Sequence, residues 1–418
     1  MNEKTKQFVA RRFKAYYRSA KIAPPEEFWM REWGFVLFDP SYPAKLVMRR
    51  HTSFATKDDL ANYLRENAPA HAYHSAAVYQ YPTETMAKKG WLGADLIFDL
   101  DADHIVDEAE LPRYSYEDLL ALVKEETLKL IDFLTSDFGF ADDDIKLAFS
   151  GSRGYHVHIH TGGVRGLGSR ERREIVDYVS ATGLDMNSFL TNKTADVDDQ
   201  TVKLILGKYV EVENEVPIFK KEKFRKKSGD LQLIASKGWG KRLQSGLANF
   251  IAELSGLSEE AKKKKLNEIG ISKESTKKMV NMTKEGGMAK RLERMQEGKL
   301  GFWPTQAWDK IIAEESVKSA DHVDEPVTAD IKRLIRLPGS LHGKSSLRVK
   351  PLTVESFKAF NPLVDAVVFG DKPIEIRATR NSSIKLKGEQ YKVAEGEIAQ
   401  LPEHVALYFL CRGAAELT

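Results

Sequence analysis

Residues Asp95 to His104 read DLIFDLDADH, with aspartates threaded through Leu96, Ile97, Phe98 and Leu100. On a strand, successive side chains point to opposite faces. Leu96, Phe98 and Leu100 then share a core face, while Asp95, Ile97, Asp99, Asp101 and Asp103 share the other. Asp99 and Asp101 fall side by side. Two adjacent carboxylates raise each other's pKa unless a cation neutralises them. A hard divalent ion such as Mg²⁺ does so, taking one or two carboxylates together with substrate phosphates and water. Alternatively, the aspartates end a strand and open a turn. That reading is preferred for Asp103 and Asp95. For the Asp99–Asp101 pair both readings stand.

A second constellation is SGSRGYHVHIH, Ser150 to His160. Ser150, Gly151 and Gly154 mark a tight turn after a strand, and glycine lets backbone N–H groups approach an anion. Arg153 adds a forked, permanently charged donor suited to phosphate, with His156 close by. The plainer alternative is a hairpin turn with an exposed arginine. His158 and His160 alternate with Val157 and Ile159 and are read as solvent-facing. The third constellation is HVDEPVTADIKRLIRLPGSLHGKSSLRV, His322 to Val349. It offers a remote carboxylate, Asp324, ahead of an expected helix carrying Lys332, Arg333 and Arg336, then a glycine turn with His342 and Lys344. Taken singly, Asp324 reads as a loop residue, and Lys332 and Arg333 as a solvated helix face. Arg336, His342 and Lys344 gain weight only in combination. A carboxylate pair, a third carboxylate and two cationic glycine turns together suit metal-assisted chemistry on a nucleoside triphosphate. No GxxxxGK[ST] occurs, so a Walker-type site is excluded.

These residues need elements to hold them. KQFVARRFKAYY has helical spacing, WGFVLFD and AKLVMRRHTSF read as strands, and a helix is expected over 57–67. DLIFDL follows a glycine turn at Gly93. YEDLLALVKEETLKLIDFLTSDFG is an amphipathic helix closing at Gly139. DIKLAFS is a strand and RERREIVDYVSAT a helix. From 186 to 299 the chain turns lysine-rich and mostly helical in period, with FKKEKFRKK, KGWGKR and AKKKKL. We read it as a helical basic insertion between core segments 1–185 and 300–418. FKKEKFRKK interleaves Phe219 and Phe224 with cations and suits either a nucleic-acid backbone or a plain surface. AKKKKL reads as a solvated face. The alternation of strands and helices indicates an α/β (α+β) core.

Bulk properties narrow the class. The 418 residues are 42% hydrophobic, enough for a sizeable core. Cys411 is the single cysteine, which excludes an intramolecular disulfide and any cysteine-built metal site. No signal-peptide pattern and no bilayer-length apolar run occurs, so a cytoplasmic location without membrane contact is expected. A net charge of +3 leaves the question of a nucleic-acid partner to local charge.

The order and context of DLIFDLDADH, FSGSRGYHVHIH and RLIRLPGSLHGKSSLRV resemble the signature motifs of the archaeal and eukaryotic type DNA primase small subunit. REWGFVLF and MRRHTSF resemble that family's N-terminal segment. The resemblance spans most of the chain outside the insertion. It implies a primase-type catalytic core and a DNA-templated nucleotidyltransferase that makes primers from nucleoside triphosphates on single-stranded DNA for replication. On it, Asp99, Asp101 and Asp324 match the catalytic, metal-binding aspartates, for Mg²⁺ or Mn²⁺ in a two-metal site. Ser150, Arg153 and His156 match the second motif's nucleotide-binding positions, and Arg336, His342 and Lys344 the third's. Arg50 and Glu32 match N-terminal positions linked with nucleotide binding. The implied partner is an iron–sulfur-containing large subunit in a heterodimer within the replication machinery. One departure is clear: where many members carry a Cys/His zinc knuckle, this chain has HIVDEAELPRYSYEDLL with only His104, so zinc is not expected. Rival readings are a stand-alone primase-polymerase of repair or restart, a non-catalytic nucleic-acid-binding subunit, and a DxD phosphohydrolase.

Overall fold

The structure is a computed structural model that describes residues 1–107, 109–185, 189–192, 210–213, 216–219, 231–233, 238–283, 303–318 and 328–418. The chain divides into two compact units, one formed by Met1–Thr182 with Val317–Thr418 and the other by Gly183–Ser316. Helices and strands are mixed, as the α/β (α+β) reading expects.

Helix α1, Glu3–Ser19, starts where the Asn2 side chain accepts a hydrogen bond from the Thr5 amide. Its buried Val9, Phe13 and Tyr17 recur at helical spacing. Strands β1 (Trp33–Val36), β2 (Met48–Thr52) and β3 (His71–Ser75) form an antiparallel sheet with the Leu334–Arg336 strand, in the order Leu334–Arg336, β3, β1, β2. Helix α2, Lys57–Asn67, opens with a capping box between Thr56 and Asp59. The hairpin of β4 (Ala77–Tyr79) and β5 (Trp91–Ala94) leads into β6 (Leu96–Asp101).

A second antiparallel sheet holds β6 with β7 (Ile145–Phe149) and β8 (Gly154–Ile159), in the order Pro351–Leu352, β7, β8, β6. The alternation in DLIFDLD is realised. Leu96, Phe98 and Leu100 are buried, on the side where helix α4 (Tyr116–Asp132) packs. On the other side Ile97 meets Ala76 and Ile335 of the first sheet region, and Asp99 and Asp101 follow it towards the strand end. A short helix, α3 (Ala102–Ile105), starts directly after Asp101. The chain closes with Pro373–Ala378, flanked by Ile398–Pro402 and Ala415–Leu417, a hairpin of Ser382–Leu386 and Glu389–Val393, and a buried helix, Glu403–Cys411.

Two expectations are corrected here. The segment carrying Lys332, Arg333 and Arg336 is not helical: Leu334–Arg336 is a strand paired with β3, Arg336 opposite Tyr73. Its Ile331, Leu334 and Ile335 have helical spacing, but the free edge of β3 decides the outcome. Nor are His158 and His160 simply solvent-facing: both are half-buried, and each meets groups from outside its own strand. The His158 ring lies 6.3 Å from that of His74. His160 bridges Asp95 at 2.5 Å and Glu26 at 2.9 Å.

In the other unit, the helix Gly238–Ser255 buries Leu243, Leu247, Phe250 and Leu254 and packs against the helix Thr305–Glu315. Trp239 is 2% exposed and belongs to this core. Two short antiparallel pairs, Val210–Glu213 with Val216–Phe219 and Leu231–Leu233 with Leu190–Asn192, accompany the helices. Within AKKKKL, Lys262 is buried and donates to the Thr283 carbonyl, so that stretch is not a uniformly solvated face. Most of FKKEKFRKK lies outside the described residues.

Candidate active site

The register of β6 against β8 brings the first two motifs together. Asp99 stands opposite His156 and Asp101 opposite Gly154. A side chain at Gly154 would put its Cβ 2.3 Å from the Leu100 carbonyl oxygen, so only glycine allows this approach. His156 Nε2 lies 3.4 Å from Asp99 Oδ1, and Arg153 Nε lies 3.9 Å from Asp101 Oδ1. The Arg153 guanidinium is also paired with Asp103 through Nη2. Ser150 is buried and its hydroxyl accepts from the amides of Ser152 and Gly154, which shapes the turn from within.

The third motif reaches the same turn. Gly151 has φ of 81°, and a Cβ there would meet that of His342 at 2.6 Å. The Ser345 hydroxyl donates to the Gly151 carbonyl at 2.5 Å and lies 3.2 Å from His342 Nδ1. Helix α1 holds this loop from behind: the Tyr17 hydroxyl accepts from the Leu341 amide, and Tyr16 donates to the Gly339 carbonyl. Arg336 projects from its strand towards His71 Nδ1 at 2.8 Å and the Tyr73 hydroxyl at 3.0 Å. Lys344 is exposed. His71 and Tyr73 were not anticipated. Their signal was HAYHS, where both fall on one strand face, and the partner that gives them meaning is Arg336.

Glu32 and Arg50 meet across β1 and β2. Glu32 is fully buried and accepts from Arg50 Nε at 2.9 Å, Arg50 Nη2 at 3.2 Å and the His51 amide at 3.2 Å. Lys89 Nζ lies 3.6 Å away. Asp324 lies outside the described residues, as does Glu108.

Electrostatics separates these groups. Burial tends to raise the Glu32 pKa, but the Arg50 hydrogen bonds and charge, the His51 amide and Lys89 together hold it below its usual value. Asp101 goes the other way: burial and then the Asp99 charge push it up, and Arg153 offsets this only in part. His156 is pushed down to about 3 by burial and by the charges of Arg336 and Arg333. His342 falls well below its ordinary value through burial, Arg336, His71 and Lys344. Both are therefore neutral hydrogen-bonding groups at physiological pH. With Nε2 of His156 facing a carboxylate, that nitrogen carries the proton.

Among the described residues, no group of three His, Cys, Asp or Glu side chains is disposed to hold a metal ion. The Asp99–Asp101 pair nevertheless suits a divalent cation. Arg153, 3.9 Å from Asp101, is shared with Asp103, and burial together with the Asp99 charge pushes the Asp101 pKa up.

A family model described as DNA primase small subunit matches residues 98–354, from the core face of β6 past the His342 loop. Curated relatives extend the similarity to the whole chain. DNA primase small subunit PriS of Methanococcoides burtonii is 41% identical over 100% of this chain and 99% of the relative. Its counterpart from Methanocella arvoryzae is 38% identical over 100% and 99%. That from Methanosarcina acetivorans is 41% identical over 100% and 97%.

The chain belongs to the DNA primase small subunit family.

The family is that of the catalytic subunit of archaeo-eukaryotic primase, a DNA-directed nucleotidyltransferase that synthesises primers for replication. Divalent-metal dependence is general to the primase family. The matched segment contains the β6–β8 pairing, Arg336 and the His342 loop. Glu32, Arg50, His71 and Tyr73 precede it, in the region of the first sheet. No helix among the described residues is long and apolar enough to cross a membrane.

Proposed function

We propose that nucleotide addition takes place at the end of β6, with Asp99 and Asp101, together with Asp324, as the metal-binding carboxylates. The observation that carries this is the meeting of Asp99, Asp101, Arg153 and His156 across one strand pair, with the His342 loop packed on the same turn. Mg²⁺ or Mn²⁺ fits this donor set and, when bound, supplies charge neutralisation and a lowered pKa for a nearby hydroxyl. Arg336 and Lys344 supply fixed positive charge for the triphosphate. Neutral His342 orients it by a hydrogen bond, not by charge. His156, donating through Nε2, fixes the orientation of Asp99. Arg153, anchored on Asp103, gives the nucleotide a forked donor beside Asp101, and Ser150 keeps that turn in shape. Glu32 holds Arg50 in place for a further phosphate contact.

In this reading the substrates are nucleoside triphosphates and a single-stranded DNA template, and the working form is a cytoplasmic heterodimer. Its partner is the iron–sulfur-containing large subunit. Support comes from relatives named as the small subunit.

The test is incorporation of labelled nucleotide on unprimed single-stranded DNA with Mg²⁺ or Mn²⁺, beside Asp99→Asn/Asp101→Asn. Oligomers from the unmodified chain alone are expected. Equal products from both proteins would remove the metals from β6. A folded chain that extends a primed template but makes no oligomer unprimed would assign initiation to the large subunit.

A further inference from the structure

The C-terminal residues 355–418 lie outside the segment matched by the primase family model. They nevertheless touch the candidate site. The Tyr116 hydroxyl donates to the Ser152 carbonyl at 2.5 Å, immediately before Arg153, and its ring lies 6.4 Å from that of Tyr408. These two rings wall a cavity of about 350 Å³ that Arg380 and Arg412 also line. The Arg412 guanidinium sits over the Tyr408 ring at 5.4 Å, and Arg380 Nη2 donates to the Arg412 carbonyl at 3.2 Å. Both arginines are exposed, and neither has a carboxylate partner among the described residues.

This cavity does not end there. Asn381, Ser382 and Ser383 line it and also line a neighbouring open cavity of about 620 Å³ that contains Lys392. Lys392 stands opposite Ser383 in the hairpin and likewise lacks a carboxylate partner among the described residues. Glu397 is the one carboxylate along the way, and it accepts from the Ala394 amide at 2.7 Å. The result is an open trough with separated cations and hydroxyl or amide groups between them, starting behind the Arg153 turn. Three uncompensated cations spaced along a trough match a chain of phosphates better than a single one. Forked arginines and hydroxyls are the usual donors to phosphate oxygens, and they carry no sequence preference.

We propose that the trough formed by Arg412, Arg380, Ser382, Ser383 and Lys392 binds the phosphodiester backbone of a single-stranded nucleic acid and leads it past the Asp101–Arg153 end of the site. The proposal rests on the polymerase reading for its ligand, and its test is separable from that reading. Arg412 stacks on Tyr408 much as an arginine does on an aromatic neighbour when its outer edge is left for a ligand.

The experiment measures binding of a fluorescent single-stranded DNA oligonucleotide to the full chain, without nucleotide, over a salt series. The unmodified chain is compared with Arg380→Ala/Lys392→Ala/Arg412→Ala, and with Ser383→Glu, which adds a repelling charge at an exposed strand position and leaves every arginine in place. Melting temperature controls for folding. The nucleotide KM is measured separately on a primed template. We expect binding to weaken roughly tenfold at low salt in the triple variant, and its log–log salt slope to become shallower by about 2. Ser383→Glu should weaken binding in the same direction, and nucleotide KM should not change. A raised nucleotide KM with unchanged DNA binding would assign the cations to the nucleotide's phosphates and overturn the proposal. Unchanged binding in both variants would overturn it as well. DNA bound without chain growth by the unmodified chain would count against the polymerase reading alone, with the trough comparison still readable.

Discussion

Two carboxylate clusters in the same unit are wired in opposite ways. Glu32 is completely buried, yet two Arg50 hydrogen bonds, the His51 amide and Lys89 compensate it from within the chain. Asp101 is partly buried beside Asp99 and shares one arginine with Asp103. The pKa directions follow: Glu32 is held down and Asp101 is pushed up. A carboxylate that carries its own cations is a scaffold, positioning Arg50 for whatever Arg50 binds. A carboxylate whose pKa is pushed up by burial and a like neighbour, as Asp101 is, gains from a cation brought from outside. Asp95, paired with Arg31 at 2.8 Å and His160 at 2.5 Å, belongs with Glu32 although it shares a parity with Asp99 and Asp101. Strand parity places a side chain on a face, and compensation decides what that side chain can do.

The largest effect expected from this contrast is on turnover. Asp99→Asn/Asp101→Asn should lower nucleotide incorporation by at least about 10²-fold, as loss of charge-stabilising groups in a reaction site does. The same variant should melt no lower than the unmodified chain, because the change removes a repulsion. A calorimetric titration with Mn²⁺ should lose its heat at the same time. A clear drop in melting temperature would make the aspartates structural and undo the comparison. The converse change comes next. Glu32→Gln leaves Lys89, which is 1% exposed, and Arg50 without their counter-charge. Removing one partner of a buried ion pair costs about 3–5 kcal/mol, so urea unfolding should show a loss of that order. A loss below about 1 kcal/mol would mean that water replaces Glu32 readily.

How far the sequence reveals these clusters depends on the distance over which each is assembled. The Asp99–Asp101 face is legible because strand alternation is local, and Gly151 and Gly154 announce the turn that meets it. The Glu32–Arg50 pair joins a residue just before β1 to one 18 positions on in β2, and no local pattern predicts that meeting. Arg336 and His71 are 265 residues apart, so the shared strand face of His71 and Tyr73 carries no meaning until Arg336 is placed against it. The helix expected to carry Lys332, Arg333 and Arg336 has the same origin: apolar spacing suited a helix, and pairing with β3 made a strand. His158 and His160 looked exposed because alternation indicates sides, and it cannot tell that His74 packs near His158 or that Asp95 and Glu26 reach His160.

Smaller effects sharpen the contrast within the cationic half of the site. Arg336→Ala removes a charged donor held by His71 and Tyr73. Charge-assisted hydrogen bonds contribute about 1.5–3 kcal/mol, so nucleotide KM should rise roughly tenfold or more, with kcat less affected. Lys344→Ala, at an exposed position, should raise KM only a few-fold, about what an exposed charge contributes. If Lys344 proved the larger of the two, the His71–Arg336–Tyr73 arrangement would be holding the fold and not the nucleotide.

The smallest effect is on pH dependence, and there the two clusters should separate in sign. The folded pKa of Glu32 lies below its unfolded value, so its contribution to stability is present above the unfolded pKa and is lost as pH falls through the folded one. The folded pKa of Asp101 lies above its unfolded value, so stability tied to its proton is present below the unfolded pKa and is lost as pH rises through the folded one. Asp101→Asn should therefore gain stability relative to the unmodified chain only above the Asp101 pKa, while Glu32→Gln should lose most at neutral pH and least in strong acid. Activity should follow Asp101: its ionised form is needed, so the acid limb of the rate profile should sit above the ordinary aspartate range and move to lower pH as divalent cation is raised. A limb that ignores the cation concentration would separate Asp101 ionisation from metal binding, and the pair would then have to be read as the end of a strand.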